Sequence, residues 1–376
     1  MKKCIVAAAL LLIAAAAAPA AYAVSAEPAI SAKAAIVIHA DTGNVLYEKN
    51  ADEQMLIAST TKLMTALVVL ENCQPDEKVE IKPEYTLVGG SSMYLKPGDS
   101  YTVEQLLYGM MLASGNDAAL ALAYHTAGSV EGFADMMNEE AARLGLSGSS
   151  FKNPHGLDEE GHYSCARDLA GIMREAIKDE LFCQIISTRS YTCGEQTYIN
   201  HNKLLWNCKG VIGGKTGYTM AAGRSLVSYC DRGDMKLICV TLSDPDDWND
   251  HAVLYDWGYE NYEYDNPLGT FARISVPVIS GNKKRVTVAV SGDFRVFREK
   301  GAKAELETDM DRFVFAPVNA GNIAGRVKVI IDGETVSEAE LCFCESVDVD
   351  KSAALTPWER FKRIWYMSMR YGYTLR

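Results

Sequence analysis

Much of what would assign a chain to a common functional class is missing here. No CxxC pair occurs and no cysteine–histidine spacing matches a zinc module; Cys342 and Cys344 form only a CxC. No G-x-S-x-G segment is present, which disfavours an α/β-hydrolase nucleophile elbow. No H-E-x-x-H helix and no carboxylate cluster points to a metal, and no cofactor is expected. Basic runs are absent except near the C-terminus, and the formal net charge is -12. A protein that tracks nucleic-acid phosphates needs the opposite balance. After residue 23 there is neither a repeat nor a low-complexity tract.

The 376 residues, 48% of them apolar, suffice for two domains with real cores. The chain opens "MKKCIVAAALLLIAAAAAPAAYAVSAEP". Lys2 and Lys3 form a charged leader, an apolar stretch follows, and Ala21-Tyr22-Ala23 offers small residues for cleavage. Residues 1–23 read as a secretory signal peptide cut after Ala23, with an uncleaved membrane anchor as the alternative. Export permits disulfides. Of ten cysteines, removal of Cys4 leaves nine, so at least one is unpaired within a monomer. Several, such as Cys230 and Cys239, lie in apolar strand-like runs, and buried free thiols are the expectation.

Apolar residues then trace an alternating order of elements. Ala35 to Ile38 and Val45 to Tyr47 read as strands around the turn cluster "ADTGN". A helix is expected from Ser59 or Thr60, burying Leu63, Met64, Leu67, Val68 and Leu70. Two helices follow, broken at Ser114-Gly115-Asn116, then one over Glu131 to Leu144 and one around Arg167 to Ile177. From Gly210, three strands are joined by turns at Ala221-Ala222-Gly223 and Asp231-Arg232-Gly233, and a helix spans Ala252 to Tyr259. Strands at both ends with helices between predict an α+β domain over 24–265, with an antiparallel sheet flanked by helices. Residues 266–350 carry short strands with Gly and Asn turns, a small all-β domain. Residues 351–376 return to a helical pattern.

The stretch "LIASTTKLMTAL" holds the chemistry. Ser59 and Lys62 stand three apart in an apolar run, so a helix puts them on one face. A desolvated lysine loses its proton more readily and can take one from the serine hydroxyl. Ser149 and Lys152 repeat the spacing, but in a Gly/Ser-rich loop with nothing to align them. Two further triplets strengthen the first pair: Ser114-Gly115-Asn116 at a helix break, and Lys215-Thr216-Gly217 opening a strand. SxxK, SxN and KTG in this order are the motif set of penicillin-binding proteins and serine β-lactamases. Ser280-Gly281-Asn282 also matches SxN, but it follows KTG and reads as a turn.

With these triplets and the segments "ADTGNVLYEKNADE", "ASTTKLMTALVVLE", "MLASGNDAALALA", "FKNPHGLDEEGHYSCARDLA" and "GGKTGYTMAAGRSL", the chain resembles the D-alanyl-D-alanine carboxypeptidases, the low-molecular-mass penicillin-binding proteins. The resemblance is close from Ile30 to Glu260 and looser beyond. Cys165 departs from it, standing where a small hydroxyl or alanine is expected. The resemblance implies a β-lactamase/transpeptidase-like fold and removal of the terminal D-alanine from peptidoglycan stem peptides through an acyl-enzyme. It implies Ser59 as nucleophile, Lys62 as base and Ser114 as proton shuttle. Asn116, Lys215, Thr216, Gly217 and Tyr218 are implied to bind substrate, with the N–H groups of Ser59 and Tyr218 forming an oxyanion hole. β-Lactams are the implied inhibitors. A β-lactamase shares acylation but leaves the β-domain unexplained, and a silent wall-binding protein has no need of intact triplets.

His125, His155 and His201 read as packing or surface histidines. The C-terminal "TPWERFKRIWYMSMRYGYTLR" winds Trp358, Phe361, Ile364, Trp365 and Met369 onto one face, flanked by Arg360, Lys362, Arg363 and Arg370. Such a helix suits a membrane interface, the alternatives being packing on the β-domain or a free tail. The expected location is the outer face of the cell membrane and the cell wall.

Overall fold

The computed structural model describes residues 26–268, 273–292, 294–350 and 356–371, so the expected signal segment lies outside the described residues. In chain order the first part runs β1 (Ala34–His39), β2 (Val45–Lys49), α1 (Lys62–Asn72), β3 (Lys78–Glu80), β4 (Ser100–Thr102), α2 (Val103–Leu112), α3 (Asn116–Ala127), α4 (Val130–Arg143) and α5 (Ala166–Ala176). It continues through α6 (Glu180–Ser187), β5 (Ser190–Cys193), β6 (Gln196–Ile199), α7 (Leu204–Asn207), β7 (Val211–Thr219), β8 (Gly223–Asp231), β9 (Lys236–Leu242) and α8 (Asp247–Asn261).

Five strands form one antiparallel sheet in the order β2-β1-β9-β8-β7. Helices cover both faces, and the period of two decides which side chain goes where. In β1, Ala34, Ile36 and Ile38 join the core built with α1 to α6. Ala35 and Val37 join Leu254, Tyr255 and Trp257 of α8 on the other face. This explains why β1 is apolar throughout instead of alternating. The expected α+β class, with its helix-flanked antiparallel sheet, is the observed one.

Local signals set the helix ends. Thr102 caps α2 through a capping box with Gln105, a cap type that contributes about 1 kcal/mol. α3 stops at Gly128, whose φ of 80° suits a residue without Cβ. One expectation needs correction: α1 begins at Lys62, because Ala58–Thr61 forms a 3-10 turn. Three residues per turn stack positions i and i+3 directly, so Ser59 sits over Lys62 more squarely than on an α-helix. The stretch from α6 to α7 carries structure that the sequence pattern left unassigned.

The remainder runs β10 (Tyr262–Asp265), β11 (Arg273–Ile279), β12 (Arg285–Val290), β13 (Val296–Glu299), β14 (Ala304–Met310), β15 (Val314–Phe315), β16 (Ile323–Ile331), β17 (Glu334–Phe343) and α9 (Pro357–Tyr371). A six-stranded sheet in the order β14-β16-β17-β12-β11-β15 packs Val276, Val286, Val288, Val327, Val329 and Leu341 into its own core. β10 pairs with β13, and Tyr262 stacks on Phe297, so a small second sheet fastens the end of α8 to this β-rich part. Ser280-Gly281-Asn282 lies in the turn between β11 and β12, as its order in the chain predicts.

In α9 the Tyr366 hydroxyl bonds Asp311 and its ring meets Phe315 at 5.4 Å. Trp358, Phe361, Ile364 and Trp365 stay 48–62% exposed. The side chains of Arg363, Met369 and Arg370, which the sequence reading also invoked, lie outside the described residues.

Candidate active site

Three pieces of chain converge where the sequence triplets fall. The Ala58–Thr61 turn brings Ser59, the α2–α3 junction brings Ser114 and Asn116, and the edge strand β7 brings Lys215, Thr216, Gly217 and Tyr218. Ser59, Ser114, Thr216, Gly217 and Tyr218 line one cleft of about 580 Å³.

Lys62 is fully buried and donates in three directions: to Ser59 Oγ at 2.9 Å, Asn116 Oδ1 at 2.7 Å and the His155 carbonyl at 2.7 Å. Burial, aided by the nearby Lys215 charge, pulls its pKa well below the ordinary lysine value. The geometry suits the neutral amine. Two N–H bonds to carbonyl oxygens remain, and the lone pair turns toward the Ser59 hydroxyl, which becomes the donor. Lys215 is equally buried. It donates to Ser114 Oγ at 3.0 Å and to the Thr216 carbonyl at 2.8 Å, and burial pulls it down to about 7.

Neighbouring segments hold these groups. Asn116 also donates from Nδ2 to the Gly89 carbonyl at 2.7 Å, leaving one amide hydrogen for another acceptor. Ser114 has φ 60° and Ala58 φ 47°, conformations that side chains other than glycine adopt at a cost of about 1–3 kcal/mol and that cluster at functional sites. The loop 152–162 straps the Ser59 turn. Thr61 Oγ1 meets His162 Nε2 at 2.8 Å, and Gly156, at φ 85°, lies where a Cβ would sit 1.9 Å from the Ala58 carbonyl. Gly217 lets β7 pass the same turn; a Cβ there would stand 3.1 Å from the Ser59 nitrogen. β7 is an edge strand of the sheet: among the described residues no other strand pairs with it on the side away from β8.

Sequence reasoning missed several participants. The His155 ring is a packing group, neutral because burial and the Lys62 charge lower it to about 3, yet its main-chain carbonyl grips Lys62. Asp117 accepts from Ser92 Oγ, Met93 N and Leu95 N and so fixes the loop beside Asn116. Arg224 of β8 lines the cleft with Trp248, which its guanidinium faces at 5.4 Å, and donates to Asp247 at 2.7 Å. His201, read as a packing or surface residue, also lines the cleft. A carbonyl has no sequence signature, whereas an arginine one strand from KTG offered a signal.

The decoys fall elsewhere. Ser149 bonds Asp168 and Ser164 near the start of α5. Cys165 is the N-cap of α5, its sulfur accepting weakly from Asp168 N at 3.5 Å, which explains why a hydroxyl suits that position. All nine cysteines among the described residues are free.

Fold and cleft define a serine hydrolase of the transpeptidase-like class, built for acyl transfer. The chain belongs to the D-alanyl-D-alanine carboxypeptidase family, whose model matches residues 21–246; the model of the penicillin-binding protein 5 C-terminal domain matches residues 271–349. It is 34% identical to D-alanyl-D-alanine carboxypeptidase DacF of Bacillus subtilis, over 92% of this chain and 96% of that protein. It is also 34% identical to DacC of Escherichia coli, with 88% of each chain covered. Penicillin-binding protein 5 from Haemophilus influenzae superposes with a TM-score of 0.68 at 29% identity, covering 86% of this chain and 99% of that one. The protein is thus a serine-type D-Ala-D-Ala carboxypeptidase of the penicillin-binding protein 5 family, with peptide substrates and β-lactam binding as the family's chemistry.

Proposed function

We propose that Ser59 is the nucleophile and Lys62 its base, and that the substrate is the pentapeptide stem of peptidoglycan. The reading rests on one observation above all: a fully buried lysine held between the Ser59 hydroxyl and two carbonyl-type acceptors. Neutral Lys62 takes the Ser59 proton as Oγ attacks the carbonyl between the two D-alanines. The oxyanion is stabilised by the N–H groups of Ser59 and Tyr218, the kind of preorganised term that contributes about 3–4 kcal/mol per donor. Ser114, paired with Lys215, passes a proton to the departing amine of D-alanine. Asn116 uses its remaining amide hydrogen on the substrate backbone. Lys215, Thr216 and Arg224 supply the positive and hydroxyl groups for the terminal carboxylate. Water then releases the acyl group from Ser59.

The same proposal has the enzyme exported by residues 1–23 and held against the outer face of the cell membrane by α9, facing the cell wall. Residues 24–265 form the catalytic domain, 266–350 the β-domain and 351–376 the anchoring segment. Release of D-alanine from a defined pentapeptide, together with mass mapping of the penicillin adduct, tests the catalytic part. A single adduct on Ser59 is expected. An adduct on Ser114 or Ser149, or no D-alanine released, overturns it.

A further inference from the structure

Away from the cleft, α1 and α3 end side by side, and their last residues bring together a cysteine, a histidine and a carboxylate. Cys73 is the C-cap of α1, His125 lies in the last turn of α3, and Glu77 sits in the turn before β3. The donor atoms Cys73 Sγ, Glu77 and His125 all lie within 4.8 Å of one another. We propose that these three residues form a site for a thiophilic divalent metal, zinc(II) by donor type, with water completing a tetrahedron.

Four observations support it. First, the donors are the set that zinc selects, one sulfur, one imidazole nitrogen and one carboxylate oxygen. Ligand atoms on a tetrahedral zinc stand about 3.3–3.6 Å apart, so closing the set needs movements of roughly 1 Å. Second, two ligands already face each other. His125 Nε2 lies 2.9 Å from Glu77 Oε2, while Glu77 Oε1 accepts from the Gln74 N–H at 2.6 Å, which orients the carboxylate. Metal binding replaces the bond between His125 and Glu77 by two bonds to the ion, and the imidazole proton moves from Nε2 to Nδ1 through solvent.

Third, the outer contacts suit a thiolate. The Thr126 hydroxyl donates to the Leu122 carbonyl at 2.8 Å and stands 3.3 Å from Cys73 Sγ. When the thiol gives up its proton to solvent on metal binding, that hydroxyl is free to turn and donate to the sulfur. Fourth, two helices converge here by their C-terminal ends, whose partial negative charge favours a cation. Cys73 is buried, but the side chains of Glu77 and His125 are 41% and 24% exposed, so an ion has a way in from solvent.

The position matters for the enzyme. α1 starts with Lys62 and α3 with Asn116, so the ion would tie together the far ends of the two helices that start at the cleft. The 11 residues of α1 put about 16 Å between them. The expected effect is a stabilising clamp, with no ligand shared with the catalytic groups.

The full chain, stripped by chelator and kept reduced, is titrated with cobalt(II) alone. A thiolate-to-cobalt absorption saturating at one equivalent and displaced by zinc(II) is expected. Cys73→Ser and His125→Ala each remove it, and each weakens zinc binding by at least about a hundredfold, since loss of an outer partner alone costs ~10–100-fold. The double variant Cys342→Ser/Cys344→Ser retains it. Zinc raises the unfolding midpoint of the parent and leaves that of Cys73→Ser unmoved. A band that persists in Cys73→Ser, vanishes in the double variant or never saturates overturns the site. If Cys73→Ser lacks a cooperative unfolding transition, His125→Ala decides by the same readouts.

Discussion

Lys215 Nζ meets Ser114 Oγ at 3.0 Å, a bond that ties edge strand β7 to the strained junction of α2 and α3. It mirrors the bond from Lys62 Nζ to Ser59 Oγ, so the cleft holds two buried lysines, each against a serine. The Lys215 charge adds to burial in lowering Lys62, and the two lysines thereby divide their roles. Lys62 stands beside Ser59, the proposed nucleophile, while Lys215 stands beside Ser114, where the proposal puts the substrate carboxylate.

The base assignment predicts that K62R abolishes acylation by penicillin. Arginine keeps the charge and the length, but it does not deprotonate in proteins. A loss of at least about 10²–10⁴ in acylation rate is expected, the usual contribution of a general base. Near-normal labelling of folded K62R refutes the role.

Burial of Lys215 has a stability signature. Its pKa falls from the ordinary 10.5 to about 7. Between those values the unfolded chain holds a proton that the folded chain lacks, so this group makes stability rise with pH across that window. Below about pH 7 the full penalty applies; above 10.5 it is gone. K215M removes the titration, and its stability relative to the parent is therefore expected to be greatest at pH 6 and to decline by on the order of a few kcal/mol toward pH 10. Denaturant unfolding at the two pH values measures the difference. An unchanged difference means that Lys215 titrates alike in both states.

Arg224 is predicted to recognise the carboxylate. R224K keeps a cation beside Asp247 but loses the planar donor fork. It is expected to raise KM about tenfold for a pentapeptide with a free C-terminus, the scale of one charge-assisted hydrogen bond. The same peptide with an amidated terminus should show little change. Equal losses on both peptides would assign Arg224 to holding Asp247 and Trp248 only.

The site was legible because its chemistry sits in short, ordered motifs whose local structure follows from neighbouring residues. Leu63, Met64 and Leu67 announce α1, and the gap between the apolar runs of α2 and α3 announces the junction that carries Ser114. Contributions from main chain and from distant turns were not legible. The His155 carbonyl grips Lys62 only because Gly156 lets the loop close on Ala58, a relation between residues nearly a hundred positions apart. The 3-10 turn at Ser59 is likewise set by tertiary contact: Thr60 and Thr61 bond back to Ile57 and Ala58, and the loop 152–162 presses on them. The β-domain showed its strands through Gly and Asn turns. The parallel pairing of β15 with β11 depends on a long connection that no local pattern encodes.

The last prediction concerns α9. Thr356 and Glu359 cap it reciprocally, so the helix has its own start signal. Tyr366 packs on the β-rich part, while Trp358, Phe361, Ile364 and Trp365 remain exposed. Burying each of these large apolar side chains in an interface contributes about 1.5–3 kcal/mol at most. From Ser352 onward the chain has five Lys or Arg and one acid, against an overall charge of -12. That local excess is expected to draw the helix to anionic lipid, with an attraction that salt weakens. No described helix is long and apolar enough to cross a membrane. The attachment proposed for this amphipathic helix is reversible and lies along the surface. Full-length protein should co-sediment with anionic vesicles at low salt and detach as salt rises. A chain ending at Asp350, and W358A/W365A in the full chain, should remain in the supernatant. Equal sedimentation of all three proteins, or none by the full-length form, would mean that the exposed aromatic face serves a protein contact instead.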